Sequence, residues 1–373
     1  MPSSPVRITH VMPQIGIGGA EVQLCRFIAL APKQRAVQDV LYYSDSKDLD
    51  GIRLYRDAGV RLERVERGAR PAFLWRLARE IRRRNPDILH CWLESGALWG
   101  RWAGLLAGTR RIVISIRSSN IDVAPILSIC RWADGNRVHY LVNSGTVANS
   151  VASRLGVPAS RITVIPNGID LGSPAAAVSR DALLREHGCP AGTSIALTVG
   201  RLTEAKNYPM LLRVAARCRG RLPVHFFISG HGELDAELRL LAARMGLEDV
   251  VHFLGLRHDV PALLQAADVF CYTSRYEGFP NALLEAMAAG RPIVTTRFVG
   301  HEDIVEEGRT AIAVAQDDDA GAFDALSLVL NDSGMARALG DAARRTAETR
   351  FSLQRMIDAT LDYYERLVNP ANG

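Results

Sequence analysis

Short runs rich in Val, Ile and Leu recur along the chain. Between them lie longer stretches in which apolar residues return every three or four positions. The short runs read as buried strands and the longer stretches as amphipathic helices. In the first half, strands are predicted at residues 8–12, 37–43, 60–65, 88–91, 112–116, 139–142 and 162–165. Helices are predicted from about 21 to 31, near 52–58, and through a basic segment in which Phe73, Leu74, Trp75, Leu77, Ala78 and Ile81 form an apolar stripe. In the second half, strands at 195–199, 225–229, 250–254, 269–272 and 292–295 alternate with helices at 208–218, 233–245, 260–266 and about 320–329. Two closing helices follow, the last at about 353–367.

Strand–helix alternation of this kind predicts parallel, doubly wound sheets. The small, aperiodic stretch 168–180 reads as a boundary. The expected class is therefore α/β: two Rossmann-like domains facing each other across a central cleft, with ligands at the C-terminal ends of the strands. A length of 373 residues suits two domains.

Composition narrows the class. Apolar content is 48% and aromatic content 6%, as in an ordinary α/β protein. Cys25, Cys91, Cys130, Cys189, Cys218 and Cys271 are scattered with no C-x-x-C pair, which argues against a zinc site or a disulfide framework and fits a reducing compartment. The start, MPSSPVR, has no long apolar run, and no stretch of 18 apolar residues occurs, so a cytoplasmic location is expected. The net charge of +5 is unevenly spread. Residues 1–170 carry 24 Lys and Arg against 14 Asp and Glu (+10), whereas residues 171–373 carry 21 against 26 (−5). Much of the excess lies in Arg61, Arg64, Arg67, Arg70, Arg76, Arg79, Arg82, Arg83 and Arg84. One reading is peripheral contact of the 61–84 region with an anionic membrane on the inner face of the cytoplasmic membrane, each basic residue contributing ~1 kcal/mol. The other is a helix packed on a sheet with solvated arginines, and it is preferred because the apolar residues are needed to cover the sheet. No nucleic-acid motif accompanies the arginines.

Candidate chemistry concentrates in three segments. In the stretch SRYEGFPNALLEAMAAG (274–290), Glu277 is expected on a loop, Pro280 at the opening of a helix, and Glu285 in its second turn. The N–H groups of Asn281, Ala282 and Leu283 at that helix start suit a phosphate, and the carboxylates suit sugar hydroxyls. In GRLTEAKN (200–207), Arg201 and Lys206 leave a strand end together, a guanidinium and an ammonium fit for a diphosphate. Lys206 is one of three lysines against 42 arginines. The third segment, GIGGAE (16–21), falls short of a dinucleotide fingerprint because Glu21 stands where the last glycine belongs. Gly18 and Gly19 would still permit close backbone approach to a ligand. His90 and Arg117 are expected at strand ends facing the cleft, with Asn120 in the polar stretch after Arg117. Asp317, Asp318 and Asp319 read as a solvated helix cap, with no metal assigned.

Taken together, these residues resemble family 4 of the retaining glycosyltransferases, which have the GT-B fold. The resemblance runs through Gly18-Gly19-Ala20-Glu21, Ile165-Pro166-Asn167-Gly168-Ile169-Asp170, Val199-Gly200-Arg201 with Lys206, and the E-x7-E pair Glu277 and Glu285, in that order. It implies an N-terminal acceptor-binding domain, 1–168, with the C-terminal helix at about 353–373 packing back on it, and a nucleotide-sugar-binding domain, 169–352. It implies a nucleotide diphosphate-sugar as substrate, with no cofactor and no metal. The sugar, of hexose type, would pass with retention to a saccharide or lipid-linked saccharide acceptor in bacterial surface polysaccharide synthesis. Arg201 and Lys206 would stabilise the departing diphosphate, Glu277 would hold sugar hydroxyls and Glu285 the ribose. Gly278, Phe279, Pro280, Asn281 and Ala282 would contact sugar and phosphate, and Leu254 would line the base pocket. His90, Arg117 and Asn120 would be acceptor or sugar contacts, and because Arg117 stands where many members place a histidine, it could instead bind an anionic acceptor or donor group. A nucleotide-sugar epimerase of the same fold and a non-catalytic nucleotide-sugar-binding relative are the alternatives.

Overall fold

Aliphatic and β-branched runs pair side by side in both halves of the chain, and every pairing between named strands is parallel. The computed structural model describes residues 4–16, 18–44, 49–118, 134–171 and 178–369. Asn120 lies outside the described residues. The chain divides into one unit of Met1–Gly168 with Leu353–Gly373, and a second of Ile169–Ser352.

The first unit contains, in order, β1 (Val6–Met12), α1 (Gly19–Leu30), β2 (Ala36–Tyr42), α2 (Leu49–Asp57), β3 (Leu62–Arg64), α3 (Arg70–Arg84), β4 (Ile88–Trp92), α4 (Leu93–Ala107), β5 (Ile112–Ile116), β6 (Val138–Val142), α5 (Gly145–Leu155) and β7 (Ile162–Val164). The second contains α6 (Arg180–Glu186), β8 (Ser194–Val199), α7 (Tyr208–Cys218), β9 (Val224–Ser229), α8 (Asp235–Arg244), β10 (Val251–Gly255), α9 (Val260–Ala266), β11 (Val269–Tyr272), α10 (Asn281–Ala288), β12 (Ile293–Thr296), β13 (Ile312–Val314), α11 (Asp319–Asn331) and α12 (Ser333–Arg350). The last helix, α13 (Leu353–Val368), belongs to the first unit.

The first sheet runs β3-β2-β1-β4-β5-β6-β7 and the second β10-β9-β8-β11-β12-β13. Parallel strands must be covered on both faces, and each sheet separates two apolar clusters. In the first unit, Phe73, Leu77 and Ile81 of α3 cover one face, while Leu24, Phe27, Ile357 and Leu361 of α1 and α13 cover the other. In the second, Leu211, Leu238 and Leu326 lie on one side and Leu263, Leu284 and Ala343 on the other.

The periodicity missed α4, α5, α6 and β13. For α4 the reason is physical. Its buried face carries Gly96, Gly100 and Gly104 beside Ala97, Ala103 and Arg101, and the three glycines give no apolar signal and are poor helix formers. A Cβ on Gly100 would lie 2.5 Å from Cys91 Sγ, and one on Gly104 2.5 Å from Leu89 Cδ2. The helix lies against β4 because these positions carry no side chain.

Helix α13 is tied to the first sheet by charge as well as packing. Arg35 Nε donates to Glu365 Oε1 at 2.8 Å and its Nη2 to Asp362 Oδ1 at 2.7 Å. Arg111 donates to the Leu367 and Val368 carbonyls, and Tyr364 OH meets His90 Nδ1 at 2.6 Å.

Two effects oppose each other in Gly100→Ala. Alanine gains up to about 1 kcal/mol of helix propensity, while overpacking against Cys91 costs about 1–3 kcal/mol. The urea midpoint is expected to fall, and a rise would show that α4 moves off the sheet without penalty.

Candidate active site

In the second sheet β8 and β11 are neighbours, and the chain leaves them in opposite directions, to β9 and to β12. The loops after these two strands therefore diverge and open a crevice at their C-terminal ends, the usual ligand position in a doubly wound sheet. The loop after β8 carries Arg201 and Lys206, and the loop after β11 carries Glu277.

The two loops meet through charge. Lys206 Nζ lies 2.6 Å from Glu277 Oε1 and donates to Tyr272 OH at 2.7 Å, and that hydroxyl donates to the same Glu277 oxygen at 2.8 Å. The ammonium also sits 4.9 Å from the centre of the Tyr272 ring. Burial, followed by the Glu277 charge, pushes the Tyr272 hydroxyl well above its ordinary value. It stays protonated and acts as the donor to the carboxylate. A lysine has three N–H donors, and among the described residues two are used. Lys206 and Glu277 are 18% and 15% exposed, enough for a ligand to reach a pair otherwise shielded from water. Arg201 is exposed, and among the described residues its guanidinium has no partner.

A second network holds the first in place. Asn207, left-handed at φ 50° just before α7, donates to Asp317 Oδ1 at 3.2 Å. Asp317 also accepts from Arg213 at 3.0 Å and from Arg275 at 2.9 Å. Arg275 lies two residues before Glu277, and its backbone N–H donates to the Ala205 carbonyl at 2.8 Å. This corrects the reading of residues 317–319 as a solvated cap. Only Asp318 caps α11, accepting from Gly321 N at 2.8 Å, while Asp317 and Asp319 pair with arginines. The pairing partners come from α7 and the Glu277 loop, more than 40 positions away in sequence.

Glycines line the same sheet edge. A Cβ on Gly230 would fall 1.9 Å from the Gly200 carbonyl oxygen, and one on Gly232 2.4 Å from that of Leu202. Gly230, at φ 151°, donates its N–H to the Gly255 carbonyl at 2.8 Å. The Gly230-His231-Gly232 turn was missed from the sequence, where G-x-G directly after a strand was its available signal. Leu254, the residue before Gly255 at the end of β10, is half-buried against the core.

Around Glu285, Gly278, Phe279 and Pro280 are buried, and Pro280 is the N-cap of α10. The Phe279 ring meets Phe351 edge-on at 5.4 Å. Asn281 and Ala282 are half-buried in the first turn of α10, and Glu285 is half-buried one turn on, flanked by the buried Leu284 and Ala286. Glu277 lies outside the helix, so the two carboxylates are presented by a loop and a helix.

In the first unit, Gly18 is the N-cap of α1 with φ −67°, a backbone that any residue adopts, and its near neighbour is the movable end of the Glu21 side chain. A Cβ there would lie 2.5 Å from Glu21 Oε2. Gly19 opens the helix. His90 requires a correction: it sits mid-strand in β4, fully buried, because α13 covers that face and Tyr364 bonds its ring. Arg117 follows β5 directly. Its guanidinium donates to Asn167 Oδ1 at 2.7 Å and Ser115 Oγ at 3.1 Å, and lies 4.7 Å from the centre of the Trp92 ring. Burial lowers it to about 10, so it remains a cation near neutrality. In the basic region, Arg84 pairs with Asp39, Glu63 and Glu80, and Arg83 with Glu63 and Glu80. Trp75 is 62% exposed, with Arg79 5.5 Å from its ring centre. Among the described residues no helix is long and apolar enough to cross a membrane.

Comparison with known proteins bears on the family and the fold. The model of the family "Glycosyltransferase Family 4" matches residues 17–173, and that of "Glycosyl transferases group 1" matches residues 179–346. The chain is 28% identical to the lipopolysaccharide core biosynthesis glycosyltransferase LpsE of Rhizobium meliloti, covering 84% of this chain and 85% of that one. It is 27% identical to the UDP-Gal:alpha-D-GlcNAc-diphosphoundecaprenol alpha-1,3-galactosyltransferase of Escherichia coli, over 77% of each chain. It is 30% identical to a D-inositol 3-phosphate glycosyltransferase of Salinispora arenicola, over 76% of this chain and 69% of that one. Among solved structures, Anabaena HepE in complex with UDP and glucose superposes with a TM-score of 0.85 at 20% identity, covering 96% of this chain and 99% of HepE. With both halves matched by the family models and the fold matched along nearly its full length, the chain belongs to the group 1 glycosyltransferases and has the GT-B fold.

Proposed function

We propose that the protein is a retaining hexosyltransferase. It would move a hexose-type sugar from a nucleotide diphosphate-sugar to a saccharide or lipid-linked saccharide acceptor during surface polysaccharide synthesis. The observation that carries this reading is the meeting of Lys206, Tyr272 and Glu277 at the switch point of the second sheet, with Arg201 on the same loop. A diphosphate leaving group develops negative charge as the glycosidic bond breaks, and fixed cations stabilise that charge most in the transition state. Lys206, oriented by Glu277 and Tyr272, would direct its remaining donor at a phosphate oxygen, and Arg201 would supply a planar, bidentate partner. The start of α10 would add backbone donors to the phosphates. Glu285 would accept from ribose hydroxyls, and Glu277 from the sugar. The second unit is thus assigned to the donor and the first, with Arg117, to the acceptor, and the donor is substrate with no cofactor or metal assigned.

The relatives support the choice of substrates. HepE is described in complex with UDP and glucose. The Escherichia coli relative is named for transfer from UDP-Gal to a diphosphoundecaprenol-linked sugar. Uridine diphosphate sugars are therefore the first donors to try.

Lys206→Ala is expected to lower kcat about 10²–10³-fold and to remove most of the thermal stabilisation given by UDP. Unchanged turnover would eliminate the leaving-group role. Retention is tested by NMR of the product, since a new bond with the anomeric configuration opposite to the donor would refute it. Epimerised donor formed without acceptor would favour the epimerase. For the basic region, the exposed Trp75 and Arg79 are the residues that would meet anionic lipid. Trp75→Ala with Arg79→Ala should reduce sedimentation with phosphatidylglycerol vesicles several-fold, and equal sedimentation of variant and wild type would remove the membrane reading.

A further inference from the structure

Cys189 and His252 are 63 positions apart in the chain, and His225 and His252 are 27 apart, yet one ligand atom from each lies within 4.8 Å of the others. Cys189 Sγ is 3.4 Å from His252 Nε2, and His225 Nδ1 is 2.9 Å from that same nitrogen. Cys189 sits in the loop from α6 to β8, His225 is the second residue of β9 and His252 the second of β10. All three therefore lie at the N-terminal edge of the second sheet. Lys206 and Glu277 leave its C-terminal edge, a strand length away, or about 17–20 Å. Cys189 and His252 are buried and His225 is half-buried, which gives an ion a path in.

We propose that Cys189, His225 and His252 form a binding site for a thiophilic divalent ion, with zinc the best match. A thiolate with two imidazoles is the donor set that suits zinc. Zn–S near 2.3 Å and Zn–N near 2.0–2.1 Å in a tetrahedron put N and S about 3.6 Å apart and the two nitrogens about 3.3 Å apart. The separations of His252 Nε2 from Cys189 Sγ and from His225 Nδ1 differ from these by a few tenths of an ångström, and Cys189 Sγ and His225 Nδ1 lie within 4.8 Å of each other. Binding converts the Cys189 thiol to a thiolate and releases one proton, while each neutral imidazole contributes a lone pair. A water completes the tetrahedron, or His187, whose ring centre is 5.1 Å from that of His252. The ion would strap β10, the edge strand of the sheet, to β9 and to the loop entering β8. Its role is structural, because the donor-side residues lie at the opposite edge.

The test uses the full chain without a polyhistidine tag, stripped with EDTA and dialysed. Titration with Co²⁺ should produce a near-ultraviolet sulfur-to-cobalt charge-transfer band that saturates at one equivalent and is displaced by Zn²⁺. Zinc should also raise the melting midpoint. Cys189→Ser should lose the band and the rise, and His225→Gln, altered at the half-buried ligand, should weaken cobalt binding at least tenfold. Circular dichroism checks that each variant is folded, and if the serine variant is not, the glutamine variant carries the comparison. Absence of the band in the wild type overturns the proposal. So does an equal zinc-induced rise in the wild type and a folded variant.

Discussion

The ion pair between Lys206 and Glu277 is the contact around which the second unit is arranged. It joins two loops that the sheet topology drives apart, since the chain leaves β8 and β11 in opposite directions. A half-buried pair loses hydration on both sides, so its net stabilisation is small unless further hydrogen bonds offset that loss. Tyr272 supplies them by accepting from the ammonium and donating to the carboxylate. Breaking a partly desolvated pair costs more than its net contribution, because the remaining charge is left uncompensated. The Asp317 clamp serves the same end by holding Asn207, Arg213 and Arg275 on one carboxylate. Two loops that would otherwise pay conformational entropy on binding a donor are thereby ordered in advance.

The first unit is arranged around a different constraint, the burial of polar rings. Trp92 Nε1 can only donate, and it donates to His10 Nδ1 at 3.0 Å, so the proton of neutral His10 lies on Nε2 and faces Gln38 Oε1 at 2.9 Å. Burial lowers His10 to about 4 and His90 well below its ordinary value, which keeps both rings neutral. The His90–Tyr364 bond then fastens α13 to the middle of the sheet. A histidine read from the sequence as a ligand contact is in this way part of the core.

Legibility differed between the two levels. The strands were visible because fully buried parallel strands are continuous apolar runs, and helices such as α7 were visible through their 3.6-residue period. Helix α4 was hidden because three glycines, and a buried arginine, stand on its packing face. In the site, Arg201, Lys206, Glu277 and Glu285 stood out as charged residues at strand ends or on an apolar helix. Tyr272 did not, because as the last residue of a strand it reads as core. Asp317 was misjudged because its partners come from segments far away in sequence.

By itself the sequence determined the alternation of strands and helices, the parallel character of the sheets, and which charged side chains leave strand ends. These are local properties, set by period, turn residues and the cost of burying an unpaired charge. The tertiary structure decided which charges meet. Lys206 and Glu277 share the Tyr272 hydroxyl, which accepts from the one and donates to the other, Asp317 collects two arginines, and Cys189 meets two histidines, each through contacts between separate segments. Strand order brings such segments together, and strand order follows from covering both faces of a parallel sheet, a global packing condition that no local stretch of residues encodes.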